Sequence, residues 1–160
     1  MDSALGVLRH LRGDLSPLVA DSPDFQVAQA SGDYAGMAVA PLQSISQVLN
    51  VLQPAEEFVA RPAAPDELGM VHVKLDQQFQ GLSVYGAQII VHFNPEGQPQ
   101  EVHGIYCPSP VMMPTPSEEI GEVEALAKAR EAVGMSTVEL GPPRVERLVY
   151  WDPNRSPVVS

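Results

Sequence analysis

Between His72 and Cys107 the chain spaces out three histidines (His72, His92, His103), one cysteine and the acidic residues Asp76 and Glu96. Imidazoles with carboxylates can hold a transition metal or move protons, and a thiolate near an imidazole can act as a nucleophile. Which chemistry is open to them depends on the elements that carry them. Val71, Val73, Leu75 and Phe79 alternate with His72, Lys74, Asp76 and Gln78, the period-2 pattern of a half-buried strand. After Gln80-Gly81, a second strand puts Tyr85, Ala87, Ile89, Val91 and Phe93 on one face. Asn94-Pro95-Glu96-Gly97 is a turn by composition, because proline presets φ and glycine suits positive φ. QPQEVHGIY then forms a third strand with Val102 and Tyr106 inward, completing an antiparallel meander with one wet face.

That frame tests the metal idea. If Phe79 lies opposite Tyr85, the same register pairs His72 with His92 on the wet face, with Cβ atoms about 5 Å apart. A four-residue turn in the next hairpin would pair Phe93 with Gln98 and place His103 opposite Gln88, roughly 13 Å along the strand from His92. At most two histidines then converge, short of the four ligands of a closed zinc site. The expectation is no metal, no cofactor and little zinc in the purified chain, with the histidines as polar residues of a sheet surface.

Catalysis finds no better footing. There is no His-Glu-x-x-His, no G-x-S-x-G and no phosphate-cradling glycine loop. Cys107 stands among prolines, a weak setting for a nucleophile. Gln77 falls on the apolar face of its strand, so its amide requires partners inside, and backbone groups are the expected ones. No catalytic residue is assigned.

Composition narrows the partners. The net charge of −11 with nine basic residues argues against a nucleic-acid backbone or an anionic membrane. It suits a basic protein partner or simple solubility. A hydrophobic share of 44% permits a core, while 16 prolines and 12 glycines require many turns and extended links. One cysteine allows no intrachain disulfide. The opening MDSALGVLRHLRGDL lacks the continuous apolar stretch of a secretory signal, so the chain is either intracellular or without its signal.

The rest of the chain reads as follows. Residues 4–12 suggest a short helix or frayed end, and FQVAQASGDYAGMAVA two short strands around a Ser-Gly-Asp turn. Leu42, Ile45, Val48, Leu49 and Leu52 mark one face of a helix, which Pro54 ends or restarts. RPAAPDEL is a loop. Beyond a proline-rich linker, SEEIGEVEALAKAREAVG has a serine N-cap, early glutamates, late basic residues and a closing glycine. Its stripe of Ile120, Val123, Leu126 and Ala127 suits a helix laid on a sheet. RVERLVYW is a further strand, and DPNRSPVVS a hairpin turn leading into another.

The segment DELGMVHVKLDQQFQGLSVYGAQIIVHFNPEGQPQEVHG resembles the fungalysin/thermolysin propeptide motif, the module that precedes the zinc peptidase domain of thermolysin-like proteases. The matching positions are Asp66, Leu68-Gly69, His72, Gln77, Gly81, Val84, Tyr85-Gly86, the apolar run to His92, and Gly97. Ser83, Gln88 and His103 depart from the family's usual Pro, acidic residue and Asn. PTPSEEIGEVEALAKAREAVG is similar to the opening of the PepSY module that usually follows.

The resemblance implies an α+β chain of antiparallel meander sheets with packed helices, in two consecutive modules. Residues 1–105 would be the propeptide module with an N-terminal extension, 106–116 a linker, and 117–160 a partial PepSY-like module. It implies a prodomain, intramolecular chaperone and temporary inhibitor of a zinc metallopeptidase, secreted or periplasmic in its parent, with no catalysis of its own. His72, Gln77, Gly81, Tyr85, Gly86 and His92 become motif residues or partner-facing groups, and the cognate peptidase domain the partner. A rival is a stand-alone extracellular or periplasmic module that inhibits a protease in trans or holds a ligand. A reading frame continuing into His-Glu-x-x-His would favour the prodomain.

Overall fold

The computed structural model describes residues 8–109, 120–133, 144–150 and 158–159. It is an α+β structure whose centre is the expected hairpin. Strands β1 (His10–Arg12), β2 (Phe58–Ala60), β3 (Val71–Phe79), β4 (Leu82–Phe93) and β5 (Pro99–Ile105) form an antiparallel path in the order β1-β5-β4-β3-β2. On β3 the residues Val71, Val73, Leu75, Gln77 and Phe79 are buried and the intervening ones are more open, as alternation requires. β1 corrects the expected N-terminal helix where residues are described, since His10–Arg12 pair with His103, Val102 and Glu101.

The segment expected to be two strands is a helical hairpin. Helix α1 (Pro23–Ser31) starts from Ser22, whose Oγ accepts from the Phe25 N–H at 3.2 Å, with proline in the first turn. Gly32 ends it at φ +68°, its N–H directed at the Ala28 and Gln29 carbonyls. Asp33 then caps α2 (Tyr34–Ser44) by accepting from the Gly36 N–H at 3.1 Å. The Ser-Gly-Asp sequence is therefore a helix stop followed by a helix start. Phe25, Ala28, Met37, Ala38, Ala40 and Leu42 go into the main core with Val73, Leu75, Ile89, Val91 and Phe93 of the sheet.

The single helix expected to run through Leu52 is also divided. A four-residue helix α3 (Ser46–Leu49) stops at Asn50, which takes φ +54°. Leu42, Ile45 and Leu49 are buried as expected, but Val48 and Leu52 are exposed and Val51 takes the core place. Pro54 restarts the chain as α4 (Pro54–Glu57), and the next residues enter β2 rather than extending the turn.

Two registers differ from expectation. From Val71↔Phe93 to Asp76↔Gln88 the hairpin pairs as read from the sequence, including His72↔His92. Beyond Asp76 the register shifts, and Phe79 pairs with Leu82 instead of Tyr85. The turn is the two residues Gln80 and Gly81, both at positive φ (+49° and +82°), as a type I′ hairpin demands. The extra β4 residues bulge out at Gly86 (φ +72°), which buries Val84 and leaves Tyr85 67% exposed. In the second hairpin a shift between His92 and Phe93 pairs Phe93 with Pro99, His92 with Glu101 and Ile90 with His103.

Helix α5 (Glu122–Val133) forms where the punctuation predicts it, but Ile120 and Val123 are exposed rather than laid on the sheet. The last strand expectation contracts to β6 (Val149–Tyr150), paired in parallel with β4 at Val84 and antiparallel with β7 (Val158–Val159). Val149 joins Phe79, Val84, Ala87 and Cys107 in a second, smaller core. Most of the proline-rich linker, the Ser117 cap, Gly134 and Trp151 lie outside the described residues. Among those described, no helix is long and apolar enough to cross a membrane.

Candidate functional site

Helices α1 and α2 cover one face of the sheet. On the other face all four of the chain's histidines stand in a row across β3, β4, β5 and β1. His72 and His92 are a direct cross-strand pair, with Nδ1 atoms 2.5 Å apart. His92 reaches diagonally to His103, Nε2 to Nε2 at 2.8 Å, and the two rings meet edge to edge, 19° from parallel with centroids 4.9 Å apart. His10, paired with His103 in register, meets it edge-on at 6.1 Å. Glu101, opposite His92, accepts from His10 Nε2 at 3.0 Å.

The expectation that only two histidines converge is thus corrected: His103 joins them. The cause is the register shift after His92, which sets His103 beside Ile90 instead of Gln88. A one-residue irregularity at a turn leaves no mark on the alternation of the strands, so neither His103 nor Glu101 could be placed from spacing. His10 was concealed by the helical look of its surroundings.

Hydrogen-bond capacity orders the row. Asp66 Oδ2 only accepts when ionised, and it lies 3.2 Å from His72 Nε2, so that nitrogen carries the hydrogen. His72 Nδ1 is then an acceptor, and His92 Nδ1–H donates to it. His92 Nε2 is left as a lone pair that accepts from His103 Nε2–H. When the three imidazoles are neutral, this one carboxylate therefore fixes all three tautomers. Burial, then the neighbouring His72 and His103, lower the His92 pKa and outweigh the opposing Glu101, which favours this neutral arrangement. Burial raises Asp66, but N–H groups of Met70 and Leu68 and the His72 ring together hold it below the ordinary carboxylate range.

The remaining motif residues serve elsewhere. Gln77, 1% exposed, donates to the Cys107 carbonyl at 2.7 Å and accepts from the Cys107 N–H at 2.8 Å. It is an internal clamp, not a partner-facing group. Gly81 forms the turn, and Gly86 forms the bulge that turns Tyr85 out toward Tyr150, 6.3 Å away between ring centroids. An open cleft of ≈ 450 Å³ lies beside that bulge, with Arg61, Asp76 and Gln88 among its polar walls. Cys107 is fully buried, and burial, with Glu57 nearby, pushes its thiol up to about 12, which makes it a poor nucleophile.

A small α+β module built on an antiparallel meander, with a polar open face, is the class these elements define. Residues 56–106, about a third of the chain, match the family model described as the Fungalysin/Thermolysin Propeptide Motif. The matched segment runs from the end of α4 through β2, β3, β4 and β5 to Tyr106. No curated protein matches the chain.

Proposed function

We propose that the chain is a prodomain that assists folding of a thermolysin-like zinc metallopeptidase, then covers its cleft until removed. The observation that carries this is the propeptide motif at residues 56–106, coincident with the meander. A preformed sheet that binds the native peptidase stabilises it by mass action, and occupying the cleft excludes substrate. The exposed Tyr85–Tyr150 pair and the open face bearing His72 and His92 offer rigid, partly polar contact area, the composition favoured at protein interfaces. Gly81 and Gly86 shape the backbone behind that surface. The acidic charge adds on-rate toward a basic partner, and that contribution weakens as salt rises. In this reading the parent is secreted or periplasmic, and residues 117–160 begin a PepSY-like module after the linker at 106–116.

The test is refolding of the isolated peptidase domain encoded with this pro-region, with and without the chain. A higher yield of active enzyme, and inhibition of the mature domain by added chain, are expected. No gain and no binding at micromolar concentration, repeated with the complete pro-region, would overturn the reading.

A further inference from the structure

We infer that His92, His103 and Glu101, joined by His10, form a binding site for a divalent transition metal of the zinc type on the open face of the sheet. Ligand atoms of His92, Glu101 and His103 all lie within 4.8 Å of one another. Each comes from a different place in one register: His92 from the next-to-last position of β4, Glu101 opposite it on β5, and His103 two residues further along β5. His10 Nε2 already touches the Glu101 carboxylate at 3.0 Å from β1, and its side chain is 57% exposed. Three imidazoles and a carboxylate make a tetrahedral donor set that suits Zn2+, and disfavours Mg2+ and Ca2+, which take oxygen ligands.

The site is oriented before any ion arrives. A metal-ligating histidine ordinarily donates its other ring N–H to a fixed acceptor. His92 does so, since its Nδ1–H points at His72 Nδ1, which Asp66 holds in the accepting tautomer. That leaves the Nε2 lone pair of His92 aimed at the Nε2 of His103, 2.8 Å away. An ion entering there replaces the hydrogen between the two nitrogens. His103 keeps its neutral charge by carrying its hydrogen on Nδ1 instead, so no net proton is released by this pair. With Zn–N bonds of about 2.0–2.1 Å, tetrahedral nitrogens stand roughly 3.3 Å apart. The rings must therefore separate by about 0.5 Å, within reach of side-chain rotation on half-exposed strands. His72 and Asp66 act as positioning residues.

The inference is independent of the prodomain reading and is tested on the chain alone. Zn2+ titrated into the chain at neutral pH, followed by calorimetry and by the imidazole 15N resonances, should saturate at one ion per chain. The largest shifts should fall on Nε2 of His92 and His103, while Nδ1 of His92 stays protonated. Co2+ should give the visible absorption of a tetrahedral ion and be displaced by Zn2+, not by Mg2+ or Ca2+. His103→Asn and Glu101→Gln, both on the open face, should weaken Zn2+ binding by at least about a hundredfold, beyond the roughly 10–100-fold typical of supporting residues such as His72. Circular dichroism establishes that each variant is folded. Absence of saturable binding at millimolar Zn2+ would overturn the inference. So would binding unchanged in folded His103→Asn and Glu101→Gln, or resonances that place the ion elsewhere.

Discussion

Gln77 and Cys107, thirty residues apart in sequence, exchange two hydrogen bonds in the manner of a strand pair: amide Nε2 to carbonyl at 2.7 Å, and backbone N–H to Oε1 at 2.8 Å. The pair closes the chain after β5 onto β3 at the point where the β3–β4 register breaks. A side chain thus completes a ladder that the neighbouring backbone does not.

Replacing Gln77 with Leu keeps the volume but leaves the Cys107 N–H and carbonyl buried without these partners. Each unsatisfied buried group costs about 1–3 kcal/mol, so Gln77→Leu should destabilise by roughly 2–4 kcal/mol. Urea denaturation measures this. A midpoint within error of wild type would mean that the clamp is dispensable.

The strand faces can be tested with one contrasting pair. Ile89 is 1% exposed between the helices and the sheet, whereas Tyr85 is turned outward by the bulge. Ile89→Ala should cost about 2–5 kcal/mol through the cavity it opens. Tyr85→Ala should change stability by no more than about 0.5 kcal/mol, as surface substitutions usually do. Equal losses at both positions would refute the bulge.

That contrast marks how far alternation could be followed. The period-2 pattern of Val71 to Phe79 and Ala87 to Phe93 specified faces and the His72–His92 pairing, because a one-residue slip would expose the whole apolar set. It failed at Tyr85, where extra β4 residues invert parity, and at His103, where a shift beside a turn moves the register. It failed again at Phe25 to Ala40, because Ser31-Gly32-Asp33 serves equally as a hairpin turn or as adjoining helix caps. Only packing against the sheet separates those. The candidate site suffered most, since His92, His103, Glu101 and His10 meet through tertiary register rather than through local spacing.

The Gln80-Gly81 turn offers a stabilising change. Gln80 adopts φ +49°, a conformation that asparagine tolerates better than glutamine at this position of a type I′ turn. Gln80→Asn should raise stability by about 0.5 kcal/mol, while Gly81→Ala, at φ +82°, should lower it by about 1 kcal/mol or more. Thermal melts of the two variants should move in opposite directions.

Acid sensitivity should trace in part to Asp76. Arg61 grips its carboxylate through Nε at 2.5 Å and Nη2 at 3.0 Å, and Gln88 adds a bond at 2.8 Å. The Arg61 bond is the main reason the Asp76 pKa falls below its ordinary value, against an opposing effect of burial. A carboxyl depressed on folding contributes stability that is fully present above its unfolded pKa of about 3.9 and disappears as pH falls through the folded value. The stability gap between wild type and Arg61→Ala should therefore be constant near neutrality and close below about pH 4. The pair is solvent-accessible, so the gap should also shrink in high salt. A gap that widens in acid would exclude this origin.

Cys107 provides the last test, because its accessibility reports on opening of the second core. The thiol is 0% exposed, packed with Phe79, Val84, Ala87 and Val149, and its pKa of about 12 leaves almost no thiolate at neutral pH. A disulfide reagent should therefore leave the native chain unlabelled on the time scale in which it labels the urea-unfolded chain. The slow native reaction should pass through molecules in which the small core has opened, so its rate should follow the free energy of that opening. Val149→Ala removes a packed side chain from this cluster and leaves the main core intact, so it should accelerate labelling well before global unfolding. Gln77→Leu, which frees the Cys107 backbone, should do the same. Rapid labelling of the folded wild-type chain would show that β6 does not cover the thiol, and the second core would have to be withdrawn.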